Sequence, residues 1–284
     1  MESPEIATGS IQYQLEIAPV TGCGLSYSAA ELNTALSGPV AKVLYDDSGK
    51  EAIEAMLHGL VETDFDVHKV REIFKDPRPP ESWRVGEALA ETYLVHQKNC
   101  FFPWPARRDE RKSGSSLPGA DLVGFQSEGT NDFFAFGEVK TSTENKYPPG
   151  VMGGQKGLKQ QLKDLKDKVE IRDYLVLYLN YRAVGSSWED RFGRAASNYL
   201  KSDTDVRIFG FLVRDVEPNQ DDLRTCVAKL SKDQHADMII ELLALYLPQN
   251  SIDQLSDKVI SSRREYRKEL GILYERNDGI SGEN

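Results

Sequence analysis

Between Gly119 and Lys140 the chain reads Gly-Ala-Asp121-Leu-Val-Gly-Phe125, then a polar stretch, then Phe133-Phe-Ala-Phe-Gly-Glu138-Val-Lys140. Both ends are apolar, aromatic and β-branched, the composition of strands, and the polar stretch Gln126 to Asp132 contains Gly129. An antiparallel hairpin is the cheapest way to join them. Side chains alternate across a strand, so Glu138 and Lys140 share one face and Val139 takes the other. The hairpin then brings Asp121 beside Glu138. Two carboxylates and an ammonium would share a small site on a sheet. Hard cations such as Mg²⁺ prefer carboxylate oxygens, with the Val139 carbonyl as a further donor and Mn²⁺ as an alternative ion. The lysine offsets the repulsion and can meet a phosphate or orient a water.

Asp121 followed by Glu138-Val-Lys140 resembles the core signature of the PD-(D/E)XK nuclease superfamily, with Ala120 where the motif's name has proline. The resemblance covers roughly residues 83–181. It implies a restriction-endonuclease-like α/β fold: a mixed sheet flanked by helices, here with additional N- and C-terminal helical elements. It implies a preceding helix that lends a carboxylate, and a following helix and strand. Ser82 is the expected cap of a helix over Trp83 to Gln97, with Glu87 and Glu91 four apart on one face. Glu87 is the expected metal ligand and Glu91 the reserve. Lys156 to Val169 reads as the next helix, with Leu158, Leu162, Leu165 and Val169 as one apolar stripe. Related nucleases place a glutamine there, so Gln161 and Gln155 are expected near the substrate. Arg107, Arg108, Arg111 and Lys112 precede the hairpin and are read as a clamp on the phosphate backbone, with Trp104 as a possible base-stacking ring.

The rest of the chain frames this core. Gln12 to Val20 reads as a strand, broken by Gly22 and Gly24. Ser28 is expected to cap a helix, and helices are expected over 51–60 and 65–75. Asp76-Pro-Arg-Pro-Pro80 marks a boundary. The organisation read from this is an N-terminal region over 1–78, the nuclease core over 79–215 and C-terminal helices over 216–284. Within the core, Asp173 to Tyr181 is nearly continuous apolar sequence and is assigned as a buried strand. A helix is expected over 188–202 and a strand over Val206 to Val213. Asp221 to Leu247 and Ile252 to Tyr274 are expected to be helical, with a frayed tail over 277–284.

Charge bears on partners. The chain carries a formal charge of −10, against a protein that coats nucleic acid nonspecifically. From Cys100 to Glu170, however, eleven Lys+Arg face ten Asp+Glu, so the acid surplus lies outside the proposed core. Three scattered cysteines form neither a zinc pattern nor a disulfide framework, and with no leader or long apolar run a cytoplasmic setting is expected. The four histidines are read as structural.

The segments 83–91, 119–125 and 136–142, in an acidic chain of this length, resemble the HamA family, the nuclease subunits of bacterial Hachiman antiphage defence. That resemblance implies DNA as substrate, a HamB-like helicase as partner, and a nuclease restrained until the helicase engages its target. The competing expectations are a stand-alone restriction- or repair-type endonuclease and a non-catalytic partner-binding subunit on a relic nuclease fold.

Overall fold

The structure, a computed structural model, describes residues 6–46, 79–104, 119–233 and 235–269, together with 49 and 56. Apart from Met56, which is helical, the helix expected over 51–60 lies outside the described residues, as do the helix expected over 65–75, the basic cluster including Arg107 and Arg108, and the tail over 277–284.

The described elements run β1 (Ser10–Ile17), β2 (Val20–Ser26), α1 (Ala29–Ser37), α2 (Pro39–Tyr45), α3 (Ser82–Lys98), β3 (Cys100–Phe101), β4 (Leu122–Glu128), β5 (Asn131–Ser142), α4 (Leu158–Asp167), α5 (Val169–Ala183), α6 (Glu189–Tyr199), β6 (Arg207–Arg214), α7 (Asp221–Leu230), β7 (Ile239–Tyr246) and α8 (Leu255–Glu269). Seven strands form one sheet in the order β1-β2-β7-β6-β5-β4-β3. β2, β7, β6 and β5 are mutually parallel; β1 on one side, and β4 and β3 on the other, make antiparallel pairings. The expected mixed α/β sheet flanked by helices is therefore present.

Helices cover both faces, as a parallel sheet requires. One layer contains α1, α2, α3 and α8, packing Leu36, Leu89, Leu94 and Val259 against Val139, Phe211 and Leu243. The other contains α4 to α7, packing Leu162, Leu165, Leu179 and Val227 against Phe134, Phe136, Leu212 and Leu242. β6 is buried along its whole length, so its Arg207 and Arg214 need internal partners. Arg207 Nε donates to Glu128 at 2.7 Å and its guanidinium lies over Phe133.

Several expectations are borne out by local chemistry. Ser28 and Glu31 form a capping box at α1. The hairpin closes through Gly129 and Thr130, with Glu128 opposite Asn131 as the last pair and Gly129 at φ +62°. The helix at 83–97 is present as α3, but Ser82 is its first residue rather than its cap; Glu81 stands at the cap position without a side-chain capping hydrogen bond, and left-handed Asn99 closes the helix.

Other expectations are corrected. Asp173 to Tyr181 is helix α5, not a strand. Its buried residues Arg172, Leu175, Leu179 and Ala183 follow helical spacing, while Tyr174, Leu177 and Tyr181 on the other face are exposed. Apolar residues on both faces of this helix imitated a buried strand. The segment expected to be helical through Leu247 instead ends at Leu230, and Ile239–Tyr246 forms β7 in the middle of the sheet. The stripe expected to run to Val169 ends at Leu165; Val169 starts α5 and is partly exposed. Gly22 and Gly24 do not break the N-terminal strand region but sit inside β2, where a Cβ would come within 2.8 Å of Val227 and 2.2 Å of the Tyr13 ring. Their missing side chains let α7 and Tyr13 pack onto the sheet.

Candidate active site

The site forms where β4 begins and β5 runs on past it. Asp121 stands one residue ahead of β4, and the last ladder pair joins Leu122 to Gly137. Beyond that pair the β4 edge of β5 has no strand partner. Asp121 takes over: its Oδ2 accepts the Val139 N–H at 2.8 Å. The N–H and C=O of one strand residue leave on the same edge, so the Val139 carbonyl points to the Asp121 side as well.

Glu138 and Lys140 leave β5 on the face opposite Val139, as alternation requires. The Lys140 ammonium lies 3.4 Å from Glu138 Oε2 and 3.8 Å from Asp121 Oδ2. Glu138 is 2% exposed, whereas Lys140 and Asp121 keep a rim toward solvent. Burial, and then the neighbouring Asp121, push the Glu138 carboxyl up to about 9 against the pull of Lys140. A buried carboxyl lacking full compensation is what a cation would relieve.

Helix α3 supplies the third carboxylate. A Cβ on Gly86 would lie 2.2 Å from Thr141 Oγ1, so only glycine lets α3 rest this closely on β5, next to Lys140. Glu87 follows on the helix and accepts from Arg84 Nη1 at 3.2 Å. Burial, and then the charge on Asp121, raise its carboxyl to about 7 against the lowering pull of Arg84 and Lys140. Glu91 is raised to about 8 by burial, then by Glu87 and Asp46, with no influence from Asp121 or Lys140. Of the two helix carboxylates, Glu87 is thus the one in electrostatic reach of the hairpin residues. Arg84 was not singled out from sequence; its i,i+3 spacing to Glu87 was the available signal.

The remaining sequence-derived residues are less gathered. Gln155 is exposed in the loop before α4. Gln161 is half-buried on α4, its Oε1 buried without a hydrogen-bond partner among the described residues. Trp104 lies under the Arg182 guanidinium at 5.5 Å, a packed contact with α5.

The donor set fits a magnesium ion only in part. Among the described residues no group of three or more His, Cys, Asp or Glu side chains is close enough to hold a metal ion. Asp121, Glu138 and the Val139 carbonyl form a two-carboxylate, one-carbonyl set, which suits an ion that keeps several waters. No described helix is long and apolar enough to cross a membrane. No protein-family model matches the chain, and no curated protein matches it in sequence.

Proposed function

We propose that this chain is a metal-dependent DNA phosphodiesterase of the PD-(D/E)XK type, resembling HamA, which acts as the effector subunit of an antiphage defence complex under the control of a helicase. The observation that carries the reading is the meeting of Asp121, buried Glu138 and Lys140 at an open strand edge. Asp121, Glu138 and the Val139 carbonyl would hold Mg²⁺ or Mn²⁺. When bound, the ion supplies a water of lowered pKa and polarises the scissile phosphate.

The chain's own groups do the rest. Lys140, fixed by two carboxylates, can orient the attacking water and offset negative charge growing on the phosphate. Glu138 must give up its proton to ligate, so metal affinity should rise with pH. Glu87, with its carboxyl near pH 7, can accept a hydrogen bond from a second water or take its proton. Asp121 both ligates and, through the Val139 N–H, holds the strand edge in register. Arg107 and Arg108 remain the proposed backbone clamp, with Gln155 and Gln161 as weaker substrate contacts.

Two features support dependence on a partner. The chain is acidic overall, so it gains by borrowing grip on DNA. Helix α5 also presents an exposed apolar row of Tyr174, Leu177 and Tyr181, continued by Val184. A contiguous exposed apolar row of this kind is suited to covering by another protein.

The test is cleavage of labelled duplex DNA in Mg²⁺, with and without a co-expressed helicase partner and ATP. Cleavage only with the partner supports the regulated subunit. Cleavage by the chain alone supports a stand-alone restriction- or repair-type endonuclease. Failure to cleave under any condition supports a non-catalytic binding subunit, a reading in keeping with the absence, among the described residues, of a group of three or more His, Cys, Asp or Glu side chains close enough to hold a metal ion.

A further inference from the structure

The candidate site is recessed, and an aromatic ring stands beside it. The side chains of Asp121, Glu87 and Lys140 are between 15% and 21% exposed and that of Glu138 only 2%, so a phosphate must descend to meet them. Trp83, in the first turn of α3, is 37% exposed. It precedes Glu87 by four residues, so the two side chains share one face of the helix, with Cβ atoms about 5–6 Å apart. Arg84 touches both. Its guanidinium lies 4.6 Å from the centre of the Trp83 ring, and its Nη1 donates to Glu87 Oε2 at 3.2 Å. Glu87 in turn feels the charges of Asp121 and Lys140. The close approach of Gly86 to Thr141 seats this turn of α3 beside Lys140. Indole, guanidinium and candidate catalytic groups thus form one row.

Each member of the row has a counterpart in a nucleotide. A guanidinium suits a phosphate, and an indole suits the flat face of a base. Stacking of this kind is worth about 1–3 kcal/mol per base and is indifferent to sequence. Inside a duplex both faces of a base are already covered by its neighbours. A ring on the protein can stack only on a base that is unpaired or swung out. Depth acts in the same direction. A duplex, with a persistence length of about 50 nm, bends into a recess only at a cost, whereas a single strand dips freely.

Building on the nuclease reading, on which this step rests, we propose that the site takes single-stranded DNA, with one base stacked on Trp83 and the adjoining phosphate held by Arg84. The ring sits on a helix of 17 residues rather than on a loop, so its position relative to Glu87 is fixed before the strand arrives. A closed duplex would then be a poor substrate until another protein opens it. That gives the proposed helicase a second task, the supply of the unpaired strand.

The test is fluorescence anisotropy of the full chain in EDTA with two labelled probes: an oligothymidine of about 16 nucleotides and a blunt hairpin duplex of similar length. The single strand should bind about tenfold more tightly or better. Trp83→Ala should weaken single-strand binding by roughly 5- to 150-fold, the equivalent of one stacked base, and leave the duplex unaffected. Trp83→Phe should restore most of the loss, which separates stacking from any disturbance of the helix. Arg84→Gln should lower the salt dependence of single-strand binding by about 0.7 in the log–log slope. Tyr181→Ala, at an exposed ring on α5, should change nothing. Equal affinity for both probes, no binding of the single strand, or a Trp83→Ala variant that binds it as the wild type does would overturn the proposal. Binding in EDTA is independent of cleavage. A wild type that binds single strands through Trp83 but cuts nothing in Mg²⁺ with the helicase present would strike the nuclease reading alone. One that cuts DNA without Trp83-dependent strand preference would strike this inference alone.

Discussion

Exchanging Glu138 for glutamine is expected to stabilise the metal-free protein. Glu138 is 2% exposed, and its carboxyl is raised from the ordinary 4.5 to about 9 by burial and by Asp121. Between those two values the folded chain keeps a proton that the unfolded chain has lost. Stability from this group is therefore fully present below the unfolded value and is lost as pH rises toward the folded one. Each pH unit corresponds to about 1.36 kcal/mol, so at pH 7 the accumulated handicap is on the order of 3 kcal/mol, less whatever the site recovers by relaxing. Glutamine keeps the shape without the titrating group. The expected gain of about 1–3 kcal/mol corresponds to roughly 3–8 °C in Tm for a chain of this size. Thermal unfolding followed by circular dichroism in EDTA between pH 5 and pH 9 reads this directly. The two Tm curves should meet near pH 5 and separate upward in favour of Glu138→Gln. Adding Mg²⁺ should raise Tm of the wild type alone. Parallel curves, or a variant less stable throughout, would show that Glu138 does not hold a raised pKa in the folded chain.

Further outcomes follow from the same geometry. Lys140→Ala should lower cleavage by about 10²–10⁴-fold, the usual weight of a proton-handling group, with little change in Tm. Glu87→Gln should reduce activity and flatten the pH–rate profile near pH 7, whereas Glu91→Gln should leave that profile in place; equal profiles would remove Glu87 from the site. Leu177→Asp with Tyr181→Asp should abolish co-purification with the helicase partner without lowering Tm, since both side chains are exposed. Leu89→Ala, in the core under α3, should cost about 2–5 kcal/mol in denaturant unfolding.

The hairpin was legible in sequence because its signals are local. Alternation fixes which face Glu138 and Lys140 share, and Gly129 marks the turn. Asp121 could be placed because a hairpin's register pairs its ends. The helix carrying Glu87 was legible from helical spacing, but the choice between Glu87 and Glu91 was not. That choice depends on how deeply α3 settles on β5, which the contact between Gly86 and Thr141 decides. β7 was missed because Ile239–Tyr246 is apolar on both faces, and without a period a buried strand cannot be told from a buried helix. The same ambiguity, inverted, made a strand of α5. There the second apolar face is exposed, so nothing in the described fold accounts for it.

The proposed role of Asp121, Glu138 and Lys140 is phosphodiester hydrolysis with a divalent metal. The most direct measurement is Mg²⁺-dependent cleavage of plasmid DNA by the wild type and by Glu138→Ala/Lys140→Ala, each with the helicase partner and ATP present. The expected result is nicked or linear product from the wild type, its loss in EDTA, and intact plasmid with the double variant. Equal cleavage by both proteins, or no cleavage by either, would contradict it.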